Sequence, residues 1–139
     1  RNALKLILKY GFGVSIDTKS DLILRDIDVL KEIEKKNSVI LKVSITTYDD
    51  ELARKIEPRV ISSSRRFEVV EELSKNGLYT GVLMNPVLPF LTDTEENVLK
   101  MIEKTKKAGA RFLYSRMGMN LKTNQRDFYY NALDILYPV

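Results

Sequence analysis

A chain of 139 residues, 44% hydrophobic and 30% charged with a formal net charge of +4, has the size and composition of one globular domain. It contains no cysteine and no histidine, which excludes disulfides, thiolate chemistry, the common zinc sites and imidazole acid–base work. No apolar run approaches a membrane-spanning length, and the positive charge is scattered through segments that also carry acids, which fits solvated faces or an anionic ligand or nucleic acid.

The first segment, Asn2 to Tyr10, reads as an amphipathic helix closed by Gly11 rather than as a signal peptide, because no small-residue cleavage site follows it. The sequence does not start with Met and reads as a fragment or processed piece. A first strand is expected over Phe12 to Ile16, followed by a helix whose Ile23, Ile27, Leu30 and Ile33 repeat at three and four before Lys35-Lys36-Asn37 stops it. A second strand, Val39 to Ile45, runs into hydroxyls and then the charged helical stretch ELARKIEPR. Beyond Ser62-Ser63-Ser64 the stripe Phe67, Val70, Leu73 predicts a helix ending at Asn76-Gly77. A third strand, Thr80 to Met84, leads to a capping box at Thr92 and Glu95 and a helix with Val98, Ile102 and Thr105 on its inner face, stopped by Gly109. A fourth strand, Arg111 to Ser115, precedes a last helix from about Gln125 to Leu136 with Phe128, Ala132, Leu133 and Leu136 inward. The strands lack clean alternation, as strands buried on both faces do, and successive βα units predict a parallel sheet with flanking helices.

In such folds the loops leaving the carboxyl ends of the strands converge on one face. Here those loops are Asp17-Thr18-Lys19-Ser20, Ser44 with Thr46-Thr47, Asn85-Pro86-Val87-Leu88-Pro89, and Ser115-Arg116 with Met117-Gly118-Met119, whereas the opposite loops are mostly plain stop signals. Lys19, beside hydroxyls and near a helix start, suits a carboxylate or phosphate, or is a solvated lysine in a capping loop. Ser44, in an otherwise apolar strand, points into a core or a pocket, while Thr47 is most simply a cap. Arg54, Arg59, Arg65 and Arg66 gather near the second loop and suit an anion, although Arg54 at helical spacing from Asp50 is also an exposed ion pair. The prolines of NPVLPFLTD stiffen the third strand exit, either as a rigid turn or as an edge for a flat ring such as adenine. Neither GxGxxG nor GxxxxGK[ST] occurs, which weighs against the two common phosphate loops.

The blocks DTKSDLILRDIDVL, VSITTYDDELARKIEPR, SSSRRFEVVEELSKNGLYTGVLMNPVLPFLTD and RMGMNLKTNQRDFYYNALDILYP, taken in order, resemble the radical S-adenosylmethionine (radical SAM) superfamily, and within it the spore photoproduct lyase-like group often labelled DNA repair photolyase. The resemblance implies an α/β fold, the C-terminal part of a partial (β/α)6 TIM-like barrel, with residues 1–139 as one domain. It implies S-adenosylmethionine (SAM) as cofactor, with a 4Fe–4S cluster held in the parent protein by a CxxxCxxC motif that this chain lacks. By the same similarity Lys19 and Ser44, with Thr46 beside them, approach the carboxylate and ribose end of SAM, and Pro86 and Val87 face its adenine. Asn85 stands where a small residue is expected, and Arg59-Val60 after Glu57-Pro58 differ from the lyase's own continuation, so lesion chemistry does not carry over.

The expected function is therefore the SAM-binding portion of a cytoplasmic enzyme that generates a 5'-deoxyadenosyl radical for DNA lesion repair or an unassigned substrate, with the fragment inactive alone. No catalytic residue or metal ligand is assigned within the chain. The alternatives are a cluster-free βα-repeat module that binds an anionic small molecule or nucleic acid, and a different (β/α) barrel enzyme sharing only topology. An edge strand at FGVSI and an apolar concave face also predict self-association, with no membrane partner.

Overall fold

Residues 1–117 and 121–138 are described by the computed structural model of the protein. In chain order they form α1 (Asn2–Tyr10), β1 (Val14–Thr18), a 3-10 turn (Asp21–Asp26), α2 (Ile27–Glu34), β2 (Val39–Ser44), α3 (Asp50–Ile56), α4 (Ser63–Lys75), β3 (Thr80–Val87), α5 (Glu95–Lys107), β4 (Phe112–Met117) and α6 (Thr123–Leu136). The strands form one parallel sheet in the order β1-β2-β3-β4, with Val14 opposite Val39, Leu41 opposite Thr80 and Gly81 opposite Phe112. Sequential order is that of an arc of a (β/α) barrel; a doubly wound sheet reverses direction at a switch point. It also sets the exits of all four strands side by side.

The two faces of the sheet differ. Strand alternation sends Leu41 and Val43 of β2, with Val82 and Met84 of β3, under α2, α4 and α5. There Leu30, Ile33, Val69, Val70, Leu73 and Met101 are buried with them, each large aliphatic side chain contributing roughly 1.5–3 kcal/mol by leaving water. The opposite face keeps Ile40, Tyr79 and Tyr114 exposed. Tyr79 stacks on Phe112 there, with ring centroids 5.6 Å apart. The Phe112 ring lies against Gly81, where a Cβ would collide with it.

The sequence pattern placed the elements correctly but not all of their limits. The first strand begins at Val14, where pairing to Ser38 starts, and Phe12 is exposed between Gly11 and Gly13. The Ile23-to-Ile33 stripe is divided between the 3-10 turn, capped by Ser20, and α2. β3 continues past Met84 through Pro86 to Val87 across a register shift. The cap of α5 is Thr94, whose hydroxyl accepts from Asn97 N at 3.2 Å; Thr92 is used instead in the preceding turn, accepting from Leu88 N at 2.7 Å. With that start, α5 buries Met101 and Thr105 and leaves Ile102 exposed. Helix α6 buries no residue, so Phe128, Ala132, Leu133 and Leu136 do not enter the core.

Gly81→Ala is expected to destabilise the protein by about 1–3 kcal/mol, the usual cost of forcing a methyl into a filled space. Urea unfolding of a double-mutant cycle checks the cause: in a Phe112→Ala background the same change should cost markedly less.

Candidate functional site

The exits of β1, β2 and β3 are fixed by polar groups. After β1, Thr18 Oγ1 accepts from Ser20 N at 3.0 Å and Ser20 Oγ from Leu22 N at 3.2 Å, so the loop carrying Lys19 is tied down on both sides. After β2, Thr47 Oγ1 accepts from Asp49 N at 3.1 Å, and Asp49 is the N-cap of α3, accepting from Glu51 N at 2.7 Å. The buried Asn97 amide joins this loop to the turn beyond β3: Nδ2 donates to Thr46 O (3.1 Å) and Thr92 O (2.8 Å), and Oδ1 accepts from Tyr48 N (3.2 Å).

A second network begins in the core. Arg66 of α4 has 1% of its side chain exposed; Nε donates to Ile61 O at 3.0 Å, and Nη1 donates to Ser44 O and to Glu57 Oε2, both at 2.8 Å. Its Nη2 has no hydrogen-bond partner among the described residues. Glu57, which ends α3 ahead of Pro58, has 17% of its side chain exposed and accepts from Lys19 Nζ through Oε1, and Lys19 is 40% exposed. Burial opposes ionisation of Glu57, but the hydrogen bonds from Lys19 and Arg66 outweigh it and hold the carboxyl below its ordinary 4.5.

These groups border a cavity of about 390 Å³, within the range of small-molecule sites. One wall carries Lys19, Thr46 and Pro86 from three successive strand exits, with Glu57 and Leu88 beside them. The other is the apolar side of α6, namely Phe128, Tyr129, Ala132, Leu133 and Leu136, and Lys55 with Ile56 and Pro58 completes the rim near α3. The inward side of α6 expected from its sequence thus faces a cavity rather than the core. A ligand with an anionic end and a flat or apolar body matches this lining.

Of the five residues singled out from the sequence, Lys19, Thr46 and Pro86 line the cavity, whereas Ser44 and Val87 are buried and do not. The four arginines do not converge: Arg54 and Arg59 are exposed, Arg65 pairs with Asp21 (3.2 Å) and Glu68 (2.9 Å), and Arg66 is internal. Asp50, the expected partner of Arg54, accepts instead from Ser64 N at 2.9 Å. Gly118 and Met119 lie outside the described residues. Sequence reasoning missed Asn97, marked Glu57-Pro58 only as a pair shared with the resembled family and without a role, and gave Arg66 a different part.

The profile of the radical SAM superfamily matches residues 1–102. The chain belongs to the radical SAM superfamily. This radical SAM chain is 32% identical over 129 residues to an uncharacterized protein of Acidianus two-tailed virus, covering 88% of the chain and 42% of that protein. It is 37% identical over 95 residues to an uncharacterized protein of Methanocaldococcus jannaschii, covering 68% of the chain and 35% of the relative. Against an uncharacterized protein of Mycobacterium tuberculosis the figures are 29% over 128 residues, 92% and 37%. The chain therefore spans well under half the length of these relatives. No solved structure matches it.

Members of the superfamily usually bind SAM and a 4Fe–4S cluster. The cavity's size, its cation and its apolar wall fit SAM. The cluster is a different matter, since the chain has no cysteine and, among the described residues, no group of His, Cys, Asp or Glu able to hold a metal ion.

Two outcomes are expected. Because the folded Glu57 carboxyl titrates below 4.5, its contribution to stability is present above that value and is lost as pH falls through the lower, folded value. Urea midpoints followed downward from neutral pH should drop less steeply in Glu57→Gln than in the parent. Arg66→Ala leaves Glu57 without its buried partner and Ser44 O without its donor, and should cost about 3–5 kcal/mol in the same assay.

Proposed function

We propose that this chain is the SAM-binding portion of a radical SAM iron–sulfur enzyme whose barrel and cluster ligands extend into residues outside it. The observation that carries the reading is that Lys19, Thr46 and Pro86, from the exits of adjacent parallel strands, meet in one cavity in a chain of a family that binds SAM. The Lys19 ammonium meets the carboxylate of SAM as a charge-assisted donor. Pro86 and Leu88 offer a stiff apolar edge to the adenine ring, and Phe128 and Tyr129 cover it from α6. Ser44 acts through the carbonyl that Arg66 holds, and Val87 is buried at the end of β3 beside Pro86. With the cluster bound, the cofactor pair supplies one-electron chemistry on a substrate, and this chain orients SAM and excludes water from it. The substrate is left open: nucleic acid stays a candidate through the resemblance of the second and third blocks to the spore photoproduct lyase-like group, but Arg59-Val60 depart from the lyase and carry no lesion specificity.

Isothermal titration calorimetry should show SAM binding that Lys19→Ala weakens about tenfold, the scale of one charge-assisted hydrogen bond. Equal affinity in the two proteins, or no binding to either, sinks the assignment. Independently, the gene should encode CxxxCxxC upstream of Arg1; its absence there removes the enzyme reading.

A further inference from the structure

We infer that Glu57 is a positioning residue that holds the Lys19 ammonium at the cavity, so that the ligand's carboxylate meets a cation already in place. This rests on the SAM reading for the identity of the ligand, but not for the geometry. A lysine on its flexible four-carbon stem is a poor anchor by itself, because binding must first order a side chain with many rotamers. Here that ordering is supplied in advance by a chain of contacts leading out from the core.

Its first link, Arg66, is fully internal and fixed by two backbone carbonyls, Ile61 O and Ser44 O, on different segments. Arg66 fixes Glu57 through Oε2 and offsets its charge, and the other oxygen, Oε1, is free to hold Lys19. The carboxylate sits between two cations, so the three groups together carry a net positive charge toward the cavity. One Lys19 donor is spent on Glu57 and the ammonium has three, so two remain for a ligand. The opposite role for Glu57 is that of a competitor, which an anionic ligand must displace from Lys19. The pairing with Arg66 argues against that role, because a simple competitor would leave Lys19 unheld once displaced, whereas Oε2 stays anchored to a side chain that cannot follow the ligand.

The test compares SAM with decarboxylated SAM, which lacks only the carboxylate, on the purified protein and on Glu57→Gln and Lys19→Ala. The amide introduced by Glu57→Gln keeps the shape and one acceptor, and Arg66 retains both of its carbonyls, so the variant is expected to fold. Positioning predicts that the parent prefers SAM by about tenfold and that both variants lose this preference to within about threefold, with binding of the decarboxylated form unchanged. A Glu57→Gln protein that keeps the preference, or binds SAM more tightly, overturns the inference and makes Glu57 a competitor. The second readout is the order of the Lys19 ε-methylene by NMR relaxation without ligand, which must fall in Glu57→Gln. If neither compound binds the parent, the SAM assignment fails by itself and the relaxation result decides the inference; a Lys19 equally mobile in both proteins overturns it.

Discussion

The contacts that Arg66 makes in the interior hold the rest of the site in register. A guanidinium taken out of water is costly, and the penalty is met only where charge and hydrogen bonds replace the lost solvation. Arg66 meets that condition at Nε and Nη1, with the Glu57 carboxylate and the carbonyls of Ser44 and Ile61, which come from the end of α3, the end of β2 and the connection into α4, while Nη2 has no partner among the described residues. Since α4 is itself packed into the core through Val69, Val70 and Leu73, the charge carried by its first turn transfers the rigidity of the core to the strand exits.

Sheet topology explains why so few side chains suffice. With the strands in sequential parallel order, adjacent exits lie one strand spacing apart, and Lys19, Thr46 and Pro86 need no long loops to meet. What remains is to stop each loop from sliding. Hydroxyls do this locally at Thr18, Ser20 and Thr47, and Asn97 does it between loops by bonding to the backbone of Thr46, Tyr48 and Thr92 at once. Hydroxyls that looked like ligand groups in the sequence are therefore divided: those that cap build the platform, and Thr46 lines the cavity.

Elements were legible wherever a local rule had no competitor. Helix α1 is bounded as expected because apolar periodicity and Gly11 agree. Thr92 misled because two threonines stand two apart and only the turn at Leu88 decides which one caps α5, a contact made by backbone that sequence pattern does not describe. Arg66 carried a readable signal: it lies four and seven positions before Val70 and Leu73, on the buried stripe of its helix. Its charge argued for the surface, and only a partner at the right distance, Glu57, reverses that argument. Glu57 had no physical signature of its own, since a Glu ahead of Pro at a helix end is accounted for by propensity; the resemblance marked the Glu57-Pro58 pair but not its part in the site, which is set by residues distant in sequence.

The two walls of the cavity differ in what secures them. The strand-exit wall is tied to the core by charge pairs and by buried backbone contacts, whereas α6 buries no residue and keeps Phe128 exposed over the cavity. Apolar area removed from water is worth roughly 25 cal/mol per Å², and α6 turns that area toward the cavity instead of the core. The cationic wall is held by contacts that lead back to the core, and the apolar wall offers area that only a body in the cavity can cover. That division follows from the placement of the charged network on the side of the cavity backed by the core.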